Sequence, residues 1–238
     1  MESKTVQSAG VTAGQGMFWD GFRANLPVAF SVCVYGSVLG VLAAQKDLSW
    51  LTLLIMNISV FAGSAQFVMI DMWTLPLPVL EITLAVMIIN LRYILIGASL
   101  QPLFAQKPLW QKCLAMYIVA DENWAVTMAA LRKGSASVGF LVGGGFCLMT
   151  SWCIGTLSGF QLGAIIENPE LLALDFAFTA VFTSLAVSLW QGKKDIFPWI
   201  IAAVVAVITE SYIPGKWFIL TGGLSGAFTA AFMKTDQQ

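Results

Sequence analysis

The sequence predicts an all-α fold, a polytopic transmembrane helix bundle of seven to eight membrane segments with broken or re-entrant helices among them. Three observations predict it. Of the 238 residues, 58% are hydrophobic and 11% are charged, against about 25% charged in an ordinary soluble domain. Mean hydropathy is +0.81, and a soluble chain of this size needs more polar surface. Finally, Leu48 to Ile70 and Ile200 to Thr209 carry no charge, and crossing a hydrocarbon core takes about 20 apolar residues.

Eight apolar segments follow in order: 25–44, 50–70, 79–100, 113–131, 138–161, 172–190, 196–213 and 217–233. The first is read as a retained span, because the stretch before it is long and has no net positive charge. Its Pro27 frees carbonyl oxygens. The second contains Phe61-Ala62-Gly63-Ser64-Ala65-Gln66-Phe67. There Gly63 permits an unwound helix whose amides can hold an anion; the competing reading is a tight helix crossing with Gln66 hydrogen-bonded to a neighbour. In the fifth, Gly155, Gly159 and Gly163 are spaced by four, as Gly222 and Gly226 are in the last. This is the pattern of close helix packing in lipid. The run Gly143-Gly144-Gly145 is expected to weaken its helix into a break lining a cavity. Trp19, Trp50, Trp73, Trp110, Trp190, Trp199 and Trp217 fall near segment ends, where interfacial belts form. Connections are short, so residues 1–238 are expected to form a single integral membrane transport domain with polar tails at 1–20 and 234–238.

Orientation rests on Lys and Arg. If all eight segments cross, Lys4, Arg23, Arg132, Lys133, Lys193, Lys194 and Lys234 share one side, and Lys46, Lys107, Lys112 and Lys216 the other. If 113–131 dips in without crossing, Lys46, Lys107, Lys112, Arg132, Lys133, Lys193, Lys194 and Lys234 oppose Lys4, Arg23 and Lys216. The second division is the better positive-inside pattern. It favours seven crossings, an external N-terminus and segment 113–131 buried in protein.

Several function classes fall away. The net charge is −1 and no basic run exceeds two residues, so no nucleic-acid partner is expected. The chain has no histidine, and Cys33, Cys113, Cys147 and Cys153 lie in apolar surroundings. They are read as packing residues, with no metal site and no cofactor. No phosphate-binding loop of the GxxxxGK[ST] kind is present.

Ionisable groups at membrane depth cost about 2.5–3.5 kcal/mol or more each, so each needs a reason. Arg92 lies deep in its segment, within Asn90-Leu91-Arg92-Tyr93; it is ion-paired or functional unless it snorkels to the interface. Asp121 and Glu122 are adjacent, so on a helix they point about 100° apart and cannot substitute for one another. Asp175 starts a stripe continued by Thr179 and Thr183 at i+4 and i+8, or is simply a helix N-terminal charge. Asp71 and Glu210 sit at segment ends and are read as interfacial.

Taken together, these residues resemble the AzlC family, the large subunit of bacterial branched-chain amino-acid exporters. The resemblance runs from Gly21 to about Gly226. It rests on Gly21 with Pro27, on Phe61 to Phe67, on Asn90-Leu91-Arg92 and on Asp121-Glu122. Trp152 with Gly155-Thr156 and Leu174-Asp175-Phe176-Ala177 extend it. It implies export of valine, leucine, isoleucine and methionine across the bacterial inner membrane, together with a small membrane subunit of the AzlD type. Two positions depart from the family pattern: Tyr93 stands where many relatives have His, and Ala120 where many have Thr. Any proton relay here must therefore use carboxylates.

A zwitterionic amino acid needs an anion site, a cation site and an apolar pocket. Arg92, with Asn90 two positions before it, or the Gly63, Ser64 and Gln66 region is expected to hold the carboxylate. Asp121, Glu122 or Asp175 with Thr179 is expected to hold the ammonium, and one acid a coupling proton. The alternatives are a channel or permease for another small solute, a membrane enzyme and a membrane assembly factor. The enzyme is disfavoured because adjacent carboxylates are poorly placed for paired acid–base work.

Overall fold

The structure, a computed structural model, describes residues 3–165, 183, 187, 190, 192–213 and 217–235. Most of segment 172–190, with Asp175 and Thr179, lies outside the described residues. Among the described residues all regular structure is helical. The helices are α1 (Ser3–Gln45), α2 (Trp50–Ser59), α3 (Gly63–Asp71), α4 (Val79–Asn90), α5 (Arg92–Ser99), α6 (Gln101–Phe104), α7 (Leu109–Tyr117), α8 (Asp121–Arg132) and α9 (Val138–Gly163). Helices Ile196–Tyr212 and Trp217–Thr235 follow. Four helical runs, Met17–Gln45, Val79–Ser99, Val138–Gly163 and Lys193–Tyr212, are long and apolar enough to cross a membrane. Two of the apolar segments are interrupted: 50–70 at residues 60–62, next to Gly63, and 113–131 at residues 118–120.

The chain forms two compact units. In the one built from residues 67–91 and 173–238, Val68 and Met72 of α3 pack with Ile82 and Ala85 of α4. Helices Ile196–Tyr212 and Trp217–Thr235 run antiparallel: Gly222 lies against Ala206, Gly226 against Ala202, and the Thr209 and Thr221 hydroxyls are 2.8 Å apart.

The other unit, residues 1–66 and 92–172, is organised by α1 and α9. Backbone meets backbone along a seam of glycines. A Cβ at Gly21 would overlap Phe140, and one at Gly143 would overlap Phe18; Gly155 meets Cys33, Gly159 meets Ser37, and Gly163 meets Val41. The paired numbers rise together, so the two helices are parallel. At the far end Gln45 Nε2 donates to the Gly163 carbonyl, 3.1 Å away. Such approach needs small residues, because lipid tails offer no hydrophobic drive and contact must come from packing.

This seam corrects two expectations. Gly143-Gly144-Gly145 does not break its helix, since α9 is continuous through it. Its glycines are used for proximity: Gly144 admits the Asn25 amide, and Gly145 sits against the Ile118 carbonyl and Asn123. The parallel pairing also places Arg23 at the same end of the seam as the 133–137 connection, and Lys46 at the other. The arrangement that grouped Lys46 with Arg132 and Lys133, opposite Arg23, is therefore overturned. An external N-terminus would require an external Lys133.

Helices α7 and α8 fold back on one another. From α5 to α8, Arg92 pairs with Asp121 and Ser99 with Trp124, so those two helices run in the same direction. α7 returns along α5 after a short connection, with Met116 beside Gly97. Ala115 and Val119 join Ile96, Leu100, Phe104 and Leu141 in one apolar core. α8 is thus antiparallel to both α7 and α9, whose Leu141 carbonyl accepts from Asn123.

Replacing Gly155 or Gly159 by Leu drives a side chain into the α1 backbone. Overpacking of this kind costs about 1–3 kcal/mol or more. Both variants should lower the thermal midpoint of the detergent-solubilised protein, whereas Gly223→Ala, whose Cβ would meet Ile88 at an ordinary 3.6 Å, should leave it unchanged.

Candidate functional site

Interrupting a helix in an apolar setting releases backbone groups that water cannot satisfy. At the first interruption the Val60 carbonyl is caught by Gln66 Nε2 at 2.5 Å, with the Met56 carbonyl at 3.3 Å from the same nitrogen. Gln66 Oε1 accepts from Trp152 Nε1 at 2.9 Å. At the second, Asn123 Oδ1 accepts from the Ala120 N–H at 2.7 Å, while its Nδ2 donates to Ile118 and Leu141 carbonyls. Gln66 and Asn123 are both fully buried. Each break is therefore plugged by one carboxamide that uses both its donor and its acceptor. Tyr117 at the end of α7 donates its hydroxyl to the Ile58 carbonyl in α2, tying the two breaks together.

Arg92 joins the other halves. Its Nη1 lies 2.7 Å from Asp121 Oδ2, and its Nη2 donates to Ser64 Oγ at 2.8 Å. Ser64 is in the first turn of α3 and Asp121 opens α8, so one guanidinium bridges two helix N-termini. The positive end of the α8 dipole favours the carboxylate there. Arg92 Nε is buried with no hydrogen-bond partner. The Arg92 and Asp121 side chains remain 28% and 37% exposed, so the pair is reachable. The guanidinium also lies 5.4 Å from the Tyr93 ring centroid, close enough for a cation–π contact. Tyr93 thus lies against the arginine it follows in sequence.

Glu122 is exposed and, as the next helical position, lies about 100° round α8 from Asp121. Tyr35 of α1 is within electrostatic reach of Glu122 and Arg92, and its ring packs 5.9 Å from that of Trp152. Trp152 in turn covers Gly63, where a Cβ would sit 3.0 Å from the indole. Gly63, Ser64, Gln66, Arg92, Asp121 and Glu122 are thus neighbours in one unit. Asn90 belongs to the other, with its Oδ1 buried and without a hydrogen-bond partner. Tyr35, Tyr117 and Asn123 were not singled out from the sequence. Asn123 had a signal, as the one amide in segment 113–131; Tyr35 had none.

A family model described as AzlC protein matches residues 27–166. The chain belongs to the AzlC family. Among relatives of this AzlC chain, the inner membrane protein YgaZ of Escherichia coli is 28% identical over 97% of this chain and 95% of its own length. An uncharacterized membrane protein of Helicobacter pylori J99 is 21% identical, over 85% and 89%. The branched-chain amino acid transport protein AzlC of Bacillus subtilis is 20% identical, over 87% and 83%. No solved structure matches. The matched stretch contains both plugged breaks, Arg92 and the Asp121–Glu122 pair.

Gln66→Leu keeps the side-chain bulk but strips the Val60 carbonyl and the Trp152 indole of this partner. A buried polar group so stranded costs about 1–3 kcal/mol. The variant should show a lowered thermal midpoint in detergent, and Asn123→Leu a comparable loss.

Proposed function

We propose that this chain is the large subunit of a secondary exporter of valine, leucine, isoleucine and methionine, seated in the bacterial inner membrane, working with a small AzlD-type membrane subunit and driven by the proton gradient. One observation carries the reading: Arg92, at the junction of two broken helices, holds Asp121 with one nitrogen while a second, Nε, has no partner. Broken helices whose N-termini converge near mid-membrane are where transporters bind anionic substrate groups. An incoming amino acid carries both charges of this ion pair. Its carboxylate takes the Arg92 guanidinium, for which planar two-point recognition is favourable, with Ser64 beside it. Its ammonium takes the carboxylate so released at Asp121, or Glu122 beyond it. Exchanging one ion pair for two limits the desolvation cost that a charge otherwise meets in hydrocarbon. The name of the Bacillus subtilis relative supports this substrate class. Asp175 and Thr179 stay in the proposal as further polar lining.

The test is counterflow of labelled leucine, valine and methionine in vesicles, with and without a proton gradient. Wild type should exchange leucine saturably. Arg92→Gln and Asp121→Asn should each lose at least about tenfold, the scale expected when a charged hydrogen bond of about 1.5–3 kcal/mol is removed, at unchanged membrane abundance. Wild-type exchange by both variants overturns the assignment, and export without saturation or leucine competition points to a channel.

A further inference from the structure

The α1–α9 seam ends in an open-sided cavity of about 440 Å³, walled by Asp47, Leu48, Phe160, Gly163 and Ala164, with Gln45 tying the two helix ends together. That volume falls within the range of about 300–1,000 Å³ usual for small-molecule sites. Because α1 and α9 are parallel, both point the negative end of the helix dipole at this place. α1 stops there in a Schellman turn. The Leu48 N–H donates to the Ala43 carbonyl at 3.2 Å, and the Asp47 N–H to the Ala44 carbonyl at 3.1 Å. The left-handed position of such a turn ordinarily holds Gly; here it holds Asp47, at φ 56°. Asp47 therefore meets two costs at once, a side chain in a left-handed conformation and a negative charge at a helix C-terminus. Among the described residues no ion pair reaches its carboxylate, and no basic side chain lines the cavity.

A carboxylate set against two negative helix ends, in a cavity lined by no cation, suits a positively charged ligand. The space is too large for a bare metal ion on one carboxylate, and among the described residues no three acidic or cysteine side chains gather as metal ligands. Position narrows the ligand class. Met17–Gln45 and Val138–Gly163 are each long and apolar enough to cross a membrane, so the place where both end lies at the depth of lipid headgroups. Trp50, shortly after Asp47 and 55% exposed, is placed as an interfacial anchor. Leu48 and Phe160 supply apolar surface beside the carboxylate. We propose that this cavity is a phospholipid site for a headgroup bearing a primary ammonium, with Asp47 as its acceptor. A primary ammonium brings three N–H donors, whereas a quaternary ammonium brings none. A lipid held there bridges the last turns of α1 and α9 and neutralises the charge that their dipoles oppose.

The test is the thermal midpoint of the full chain in nanodiscs of phosphatidylglycerol mixed with either phosphatidylethanolamine or phosphatidylcholine. A ligand bound only by the folded state raises that midpoint. Wild type should melt at least about 2 °C higher with phosphatidylethanolamine. Asp47→Asn keeps the side-chain shape and tolerates the left-handed turn, yet should lose the difference. Asp47→Gly should lose it too, while melting above wild type in phosphatidylcholine, because Gly suits the turn. No difference for wild type, or an undiminished one in either variant, overturns the site. Dissolved ethanolamine or leucine, added to the phosphatidylcholine discs, separates the sources of the ammonium: an equal gain from either would assign the cavity to a free amine and overturn the lipid. The readout involves no transport, so the lipid site stands or falls separately from the transport assignment.

Discussion

Backbone that leaves the helix at membrane depth must find every hydrogen bond inside the protein. Two carboxamides meet that constraint here, and much of the rest depends on them. Gln66 and Asn123 let the chain stop being helical at 60–62 and 118–120 without stranding carbonyls in an apolar setting. Only because the breaks are stable can α3 and α8 begin where they do. Only because those helices begin there do Ser64 and Asp121 face Arg92. The polar groups that close the breaks and those proposed to meet substrate are thus distinct, though they lie within a few residues of each other.

The glycine seam between α1 and α9 supplies the fixed reference. Groups on α9 reach both breaks: the Trp152 side chain braces Gln66, and the Leu141 backbone carbonyl braces Asn123. Since α1 brings Tyr35 against Trp152, the seam also sets one wall of the candidate site. Backbone-to-backbone contact along the glycines leaves the two helices little freedom to slide.

Much of this was legible in the sequence. Composition gave the membrane class, and the fourfold glycine spacing gave the close packing of 155, 159 and 163. The cost of charge in lipid singled out Arg92 and Asp121, which are the two groups found paired. The misreadings have physical causes. Adjacent glycines were expected to weaken a helix, but a helix gripped along one face by α1 does not unwind, so 143–145 became contact points. The Lys and Arg division went astray because a charge count does not register the parallel pairing of α1 with α9, which puts Arg23 and Lys133 at one end of the seam. The interruption of 50–70 is encoded by Gln66 acting on carbonyls six and ten residues back, a relation that hydropathy does not register. Tyr35 was invisible because its importance comes from Arg92, Glu122 and Trp152, all far from it in sequence.

Parallel pairing of α1 with α9 has a consequence for biosynthesis. The bond from Gln45 to Gly163 spans 118 residues. At a translation rate of about 5–20 residues per second, α1 leaves the ribosome roughly 6–24 seconds before its partner. During that wait its glycine face and Asn25 have nothing to pack against but lipid or the insertion machinery. Nascent α1 is accordingly the stretch most dependent on a chaperoning surface, and delay in translating 138–163 is where assembly is most exposed to degradation.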